Sequence, residues 1–200
     1  MKRSLLITAT VILFLIIIIG IWGTGSYNQL VMLNEKIKTQ WGQVENVYQR
    51  RVDLIPNLVN TVQGAAKFER GTLTEVIEAR AKATSVTIDS NNLNQDQISK
   101  FQSTQDGLNG SLSRLLVTVE RYPELKATQN FSELQSQLEG TENRINVERN
   151  RFNYQVQIFN TYRNQFPRVV IAGFFSQFGE KGYFKSQGGA EKAPTVDFGN

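Results

Sequence analysis

The chain has 200 residues, 40% of them hydrophobic, with 22 basic and 18 acidic side chains and a net charge of +4. Lys2 and Arg3 precede a long apolar run, and without them the remainder is nearly balanced, so nothing argues for nucleic acid as a partner. Histidine and cysteine are both absent, which excludes the usual proton shuttle near neutral pH, thiol nucleophiles, disulfides, structural zinc centres and lipid-modified cysteine.

After Met1-Lys2-Arg3-Ser4 the run from Leu5 to Trp22 carries no charge, and Val11 to Ile19 holds no polar side chain. At about 1.5 Å per residue it nearly crosses a hydrocarbon core of about 30 Å. Trp22 suits the interfacial belt where indole is favoured. Gly23-Thr24-Gly25-Ser26 is small enough for cleavage, but the run exceeds the apolar core of about 7–15 residues usual in a cleaved signal. An uncleaved anchor in the lipid bilayer through Leu5–Trp22 is therefore expected. Lys2 and Arg3 before the span, with Glu35 the first charge after it, predict a single pass with a cytoplasmic N-terminus and an extracytoplasmic C-terminal domain.

From about Ser26 to Ser85 the chain reads as helix. Leu30, Leu33, Ile37, Trp41, Val44 and Tyr48, then Leu58, Val62, Ala65 and Ala66, keep the rhythm of one helix face. Arg50-Arg51-Val52-Asp53-Leu54-Ile55-Pro56 interrupts it. Pro56 removes a backbone donor and crowds the Val52 carbonyl, and Asp53 is placed to accept from donors freed by a kink or a restart. The helix is expected to run on or to break between Asp53 and Pro56, with the other long helices packed around it.

Asp89-Ser90-Asn91-Asn92 is loop chemistry, and Asn94 with Gln97 resembles a capping box. Ile98, Phe101, Gln105, Leu108, Leu112, Leu115, Val119 and Tyr122 alternate steps of three and four, as a bundle or coiled-coil seam requires. Gly107 and Gly110 each cost about 1 kcal/mol of helix propensity, which suggests a backbone passing close by. Tyr122-Pro123 stops this helix. Asn130 with Glu133 predicts the cap of the last long helix, whose face reads Phe131, Leu134, Leu138, Ile145, Phe152, Val156 and Phe159, with Thr141 and Glu148 as polar interruptions. It should end before Phe166-Pro167. Beyond Pro167 glycines multiply, yet Phe166, Phe174, Phe175, Phe178, Phe184 and Phe198 are half of the twelve phenylalanines. A solvated disordered tail is poor in such rings, so these are expected to pack on their own bundle, on a neighbouring copy, or, through Phe174 and Phe175, on the membrane.

Tyr27-Asn28-Gln29-Leu30-Val31, Arg50-Arg51-Val52-Asp53-Leu54-Ile55-Pro56-Asn57-Leu58-Val59 and Glu75-Val76-Ile77-Glu78-Ala79-Arg80 resemble the LemA family of bacterial membrane proteins. So do Glu120-Arg121-Tyr122-Pro123-Glu124-Leu125-Lys126-Ala127, Glu142-Asn143-Arg144-Ile145-Asn146-Val147-Glu148-Arg149 and the Phe166-Pro167 region. Val52 replaces a usual small residue, and Phe68 stands where the family often has histidine. The resemblance implies a bacterial plasma-membrane protein of all-α class, an N-terminal transmembrane helix carrying an elongated antiparallel helical bundle. It brings no activity with it. The expected divisions are 1–25 for the anchor, 26–166 for the bundle and 167–200 for a Gly/Phe-rich tail.

Arg50, Arg51 and Asp53 are expected to cap the Pro56 irregularity and to pair with Glu142 and Glu148 on a neighbouring helix, a polar layer that sets register. On that view Asp53→Ala lowers the melting midpoint markedly. A carboxylate-bridged metal pair would need Glu-x-x-His motifs that a chain without histidine lacks, so no cofactor is expected, and Glu75 and Glu78 read as an exposed face. Arg144, Arg149, Arg151, Arg163 and Arg168, interleaved with Tyr154 and Tyr162, read as a solvated face. The expected function is a non-enzymatic interaction or scaffold protein, either a homo-oligomer built through helices and tail or the partner of another membrane protein. An extracytoplasmic ligand-binding or sensory domain feeding a separate membrane protein is the competing reading, and against it stands that a single span leaves only the few residues before Leu5 as cytoplasmic output.

Overall fold

A computed structural model describes residues 2–64 and 69–185. Ala65, Ala66, Phe68 and Phe198 lie outside the described residues. Helix α1 (Lys2–Gln63) is followed by α2 (Arg70–Ser85), α3 (Gln95–Val119), the short α4 (Pro123–Lys126), α5 (Gln129–Asn164) and α6 (Arg168–Phe174), and then a 3-10 turn at Ser176–Phe178. No strand occurs among the described residues. The class is all-α, as the periodicities require.

α1 spans 62 residues, about 90 Å at the helical rise. Its apolar N-terminal part is long enough to cross a membrane and none of it is buried by the rest of the molecule. It continues through residue 25 and through Pro56 without a break. From Ser26 onward its buried stripe begins with Leu30, Leu33, Ile37 and Trp41 and runs to Leu58 and Val62.

Cross-helix contacts fix the directions. Arg51 meets Glu142 and Gln40 meets Glu148, so α5 runs antiparallel to α1. Arg114 meets Glu75 and Gln105 meets Ala83, so α2 and α3 form an antiparallel hairpin. The result is an up-down-up-down bundle in which α2 fills only the half far from the apolar run. There α1, α2, α3, α4 and α5 share one core around Ile55, Leu58, Val76, Leu108 and Leu115. In the near half, residues 86–93, α6 and the extended segment 181–185 complete a second core around Ile37, Trp41, Ile98 and Phe159.

Of three local expectations, one holds and two change on contact with the structure. Asn94 caps α3, its side chain accepting from the Gln97 amide at 2.9 Å. At α5, however, the N-cap is Thr128, and Asn130 lies inside the helix. Gly107 and Gly110 mark no close backbone: a Cβ at Gly107 would meet nothing within 4 Å, and one at Gly110 only the Arg114 guanidinium at 3.9 Å. The close approach is at Gly182 instead, where a Cβ would lie 2.6 Å from Gln95 Cα and 2.7 Å from its nitrogen.

Candidate interaction site: a buried polar layer and a clamped tail

The two cores meet at Arg51, which is only 3% exposed. Its Nη1 donates to Glu142 Oε2 at 3.1 Å, and its Nη2 donates to the Gln105 side chain at 2.7 Å and carbonyl at 3.2 Å. The guanidinium also lies 5.1 Å over the Tyr48 ring. Gln105 passes the connection on by donating to the Ala83 carbonyl at 3.4 Å. One side chain thus ties α1 to α3 and α5, and through Gln105 to α2. Burial pushes the Tyr48 phenol up to about 12, against the pull of Arg149 and Arg51.

The other predicted members of this layer stand elsewhere. Arg50 and Asp53 are exposed on α1, and Asp53 accepts from Gln49 within its own helix at 2.7 Å. Glu148 accepts from Gln40 at 2.6 Å and Arg151 at 2.8 Å. Pro56 is exposed, and the Val52 carbonyl it deprives of a partner is reached by Arg80 Nε from α2 at 3.2 Å. The irregularity is thus compensated by a donor on a neighbouring helix, because what proline leaves unmet inside a continuous helix is an acceptor. An aspartate, being an acceptor itself, cannot fill that role.

The tail is held by a second device. Asn160 donates to the Lys181 carbonyl at 2.9 Å and accepts from its amide at 3.0 Å. Gln95 does the same for Tyr183, at 3.0 Å both ways. Asn153 clamps Phe184 at 2.9 Å both ways, and Gln102 clamps Lys185 at 2.9 and 3.0 Å. The Gly182 amide reaches the Leu93 carbonyl at 2.9 Å, and Arg149 adds a 2.6 Å bond to the Lys185 carbonyl. Four side-chain amides, alternately from α5 and α3, each satisfy both polar groups of one peptide residue, the work a neighbouring strand does in a sheet. Asn153 and Asn160 are seven residues apart on α5, as Gln95 and Gln102 are on α3, so each pair repeats on one face.

This clamp seats Phe184 in a ring cluster with Trp41 from α1, Phe101 from α3 and Phe152 from α5. Phe184 stacks on Trp41 at 6.1 Å and meets Phe152 edge-on at 5.4 Å. Trp41 meets Phe101 at 5.1 Å and Phe152 at 5.6 Å. Phe178 is also fully buried, and Arg163 donates to its carbonyl at 2.6 Å. Of the expected tail rings, Phe178 and Phe184 therefore pack on their own bundle. Phe166 and Phe174 remain exposed, as does the cis Phe166-Pro167 junction, while Phe175 is partly covered by Tyr27 at 5.0 Å.

Among the basic residues of α5 the solvated reading fails at Arg149, which is buried with its guanidinium 5.0 Å over Phe184. Lys181 is buried too, and desolvation, reinforced by Lys38 and Arg163, pulls its ammonium below the usual lysine range against the opposing Asp89. Arg144, Arg151 and Tyr154 are exposed. Arg168 stacks on Tyr162 at 4.1 Å. Glu75 and Glu78 border an open groove of about 520 Å³ between α2 and α3, where Arg114 pairs with Glu75 at 3.1 Å. None of the clamp residues nor Arg80 was singled out as a site from the sequence. The seven-residue spacing of the amides marks one face on each helix but does not point to a partner.

The LemA family profile matches residues 40–198, a span that takes in the Arg51 layer, the clamp and the tail. Protein LemA of Metamycoplasma hominis is 24% identical over 153 residues, covering 75% of this chain and 66% of that protein. The magnetosome proteins MamQ 1 and MamQ 2 of Paramagnetospirillum magneticum are each 24% identical over 178 residues, covering 80% of this chain and 65% of theirs. The chain thus spans just under two thirds of the length of these relatives. With the profile covering most of the sequence, from mid-α1 past the docked tail, the chain belongs to the LemA family.

Proposed function

We propose that this chain is a non-enzymatic, membrane-anchored interaction protein of the bacterial plasma membrane, with its bundle outside the cytoplasm. In this reading it assembles with copies of itself or with another membrane protein. The observation that carries the reading is how the polar interior is used. Arg51, Gln105, Arg149 and the four clamping amides all meet partners within the chain. These contacts close the fold, so the polar interior is occupied with holding the helices and the tail together. The apolar helix running directly into the bundle supports membrane anchoring.

The test is particle mass by light scattering on full-length protein in mild detergent, together with protease access to the bundle in cells stripped of their outer layers. A particle of several chains, cleaved only from outside, is the expected result. A monomer at every concentration overturns self-assembly, and cleavage only after lysis overturns the topology. Truncation after Phe166, the natural way to ask whether the tail holds an assembly together, removes Phe178 and Phe184 from the core. Point substitutions at exposed positions are the usable variants.

A further inference from the structure

The end of the bundle nearest the apolar run carries an unpartnered apolar stripe. Val170 and Phe174 are four residues apart on α6 with Val169 beside them, and Phe166 precedes the helix across the Phe166-Pro167 bond. Phe166 is 83% exposed and Phe174 80%. Nearby polar side chains are turned to other work. Arg168 stacks on Tyr162 and bonds to Gln165, and Arg163 is committed to the Phe178 carbonyl and Asn164.

Its position is fixed by Tyr27. Phe175 and Phe178 pack edge-on against the Tyr27 ring at 5.0 and 5.4 Å, and Gln177 donates to its hydroxyl at 3.3 Å. Tyr27 lies five residues past Trp22 on the same unbroken helix, about 7.5 Å along its axis. That is the depth of the headgroup region, where interfacial helices lie. No charged side chain occurs from Gly23 to Asn34, so nothing on α1 holds the stripe away from lipid.

We propose that Phe166, Val169, Val170 and Phe174 form a second membrane-contact element, a collar seated in the headgroup–acyl boundary beside the span. The occupant is the bilayer rather than another protein, because the neighbouring Phe175 and Phe178 hold this end of the chain against Tyr27, about one and a half turns past the apolar run. The collar adds apolar contact at the rim of the span. This rests on the membrane-anchored reading above.

The chain has no cysteine, so single labels are clean. Full-length Phe174→Cys, Val117→Cys and Ile12→Cys carry an environment-sensitive dye in nanodiscs of phosphatidylcholine and phosphatidylglycerol, with or without lipid bearing a nitroxide just below the headgroup. The nitroxide should quench the label at position 174 about two-fold, as expected for a group at the interface, and leave position 117 untouched. Quenching at position 12 by a nitroxide deep in the acyl chain reports an inserted span. If position 12 is quenched and position 174 is not, the collar is overturned while the anchor stands. If neither is quenched, the anchor itself is overturned. A blue shift at position 174 that grows with protein per disc and ignores the nitroxide means that a second copy covers the stripe, which also overturns the proposal.

Discussion

Arg51 Nη2 donates to both the side chain and the carbonyl of Gln105, at 2.7 and 3.2 Å, at the level where the near core gives way to the far one. Its Nε has no hydrogen-bond partner among the described residues. A buried cation with one donor unmet adds little net stability, yet removing it strands Glu142 and Gln105. Arg51→Ala is therefore expected to cost about 3 kcal/mol by denaturant unfolding, and Arg51→Met clearly less. Asp53→Ala, on an exposed face, should stay within about 0.5 kcal/mol. Equal losses for Asp53→Ala and Arg51→Ala would contradict this assignment.

The carbonyl that Pro56 leaves open gives a second test. Arg80→Ala withdraws the donor from Val52 and should cost about 1 kcal/mol. Pro56→Ala restores the intrahelical bond, so in that background Arg80→Ala should cost less. A double-mutant cycle on thermal midpoints reads the coupling, and strict additivity would refute it.

Gly182 and Gly107 make opposite predictions from the same substitution. Gly182→Ala drives a methyl into the Gln95 backbone, with contacts of 2.6 and 2.7 Å that no side-chain rotation relieves. It should destabilise by about 1–3 kcal/mol and expose residues 181–185 to proteolysis. Gly107→Ala meets open space and should stabilise by up to about 1 kcal/mol through helix propensity.

Each clamping amide can be removed singly. Asn160→Leu leaves the buried Lys181 amide and carbonyl without partners, at a cost of about 1–3 kcal/mol. Asn160→Asp keeps an acceptor for the amide but sets a carboxylate against the carbonyl, so it should not rescue. Hydrogen exchange is the readout: protection of the 181–185 amides should fall in both variants, while that of the α1–α5 pair holds.

Alkaline pH acts on the two buried titrating groups in opposite senses. Lys181 has a lowered value when docked and 10.5 as reference, so the undocked chain holds the extra proton between them. Docking therefore strengthens as pH rises towards 10.5. Tyr48 goes from 10.0 to about 12 on folding. Its contribution is full below pH 10 and is lost as pH climbs towards 12, on the order of 2 kcal/mol. Denaturant midpoints followed through this range should rise less in Lys181→Met than in wild type, and fall less steeply above pH 10 in Tyr48→Phe.

The helices were legible because burial imposes a period on sequence. The stripe from Leu30 to Val62 and the seam from Ile98 to Val119 are the cores themselves. The Arg51–Glu142 pair was legible from charge on facing helices. The clamp was not, because Gln95, Gln102, Asn153 and Asn160 are residue types that populate any solvated surface, and their partner is a backbone whose path no side-chain pattern encodes. Gly182 was hidden for the same reason, since its need for close approach exists only once the tail lies against α3. Arg149 looked solvated because its burial depends on Phe184, which is 35 positions away in the chain.

The unbroken run of α1 from the apolar segment to Gln63 has a mechanical consequence. From Tyr27 to Gln63 the helix extends about 55 Å, so a lean of about 20° in the lipid, usual for single spans, displaces the far tip by about 19 Å. With no joint to absorb it, the tip works as a pointer that magnifies small changes in bilayer thickness into large sideways excursions.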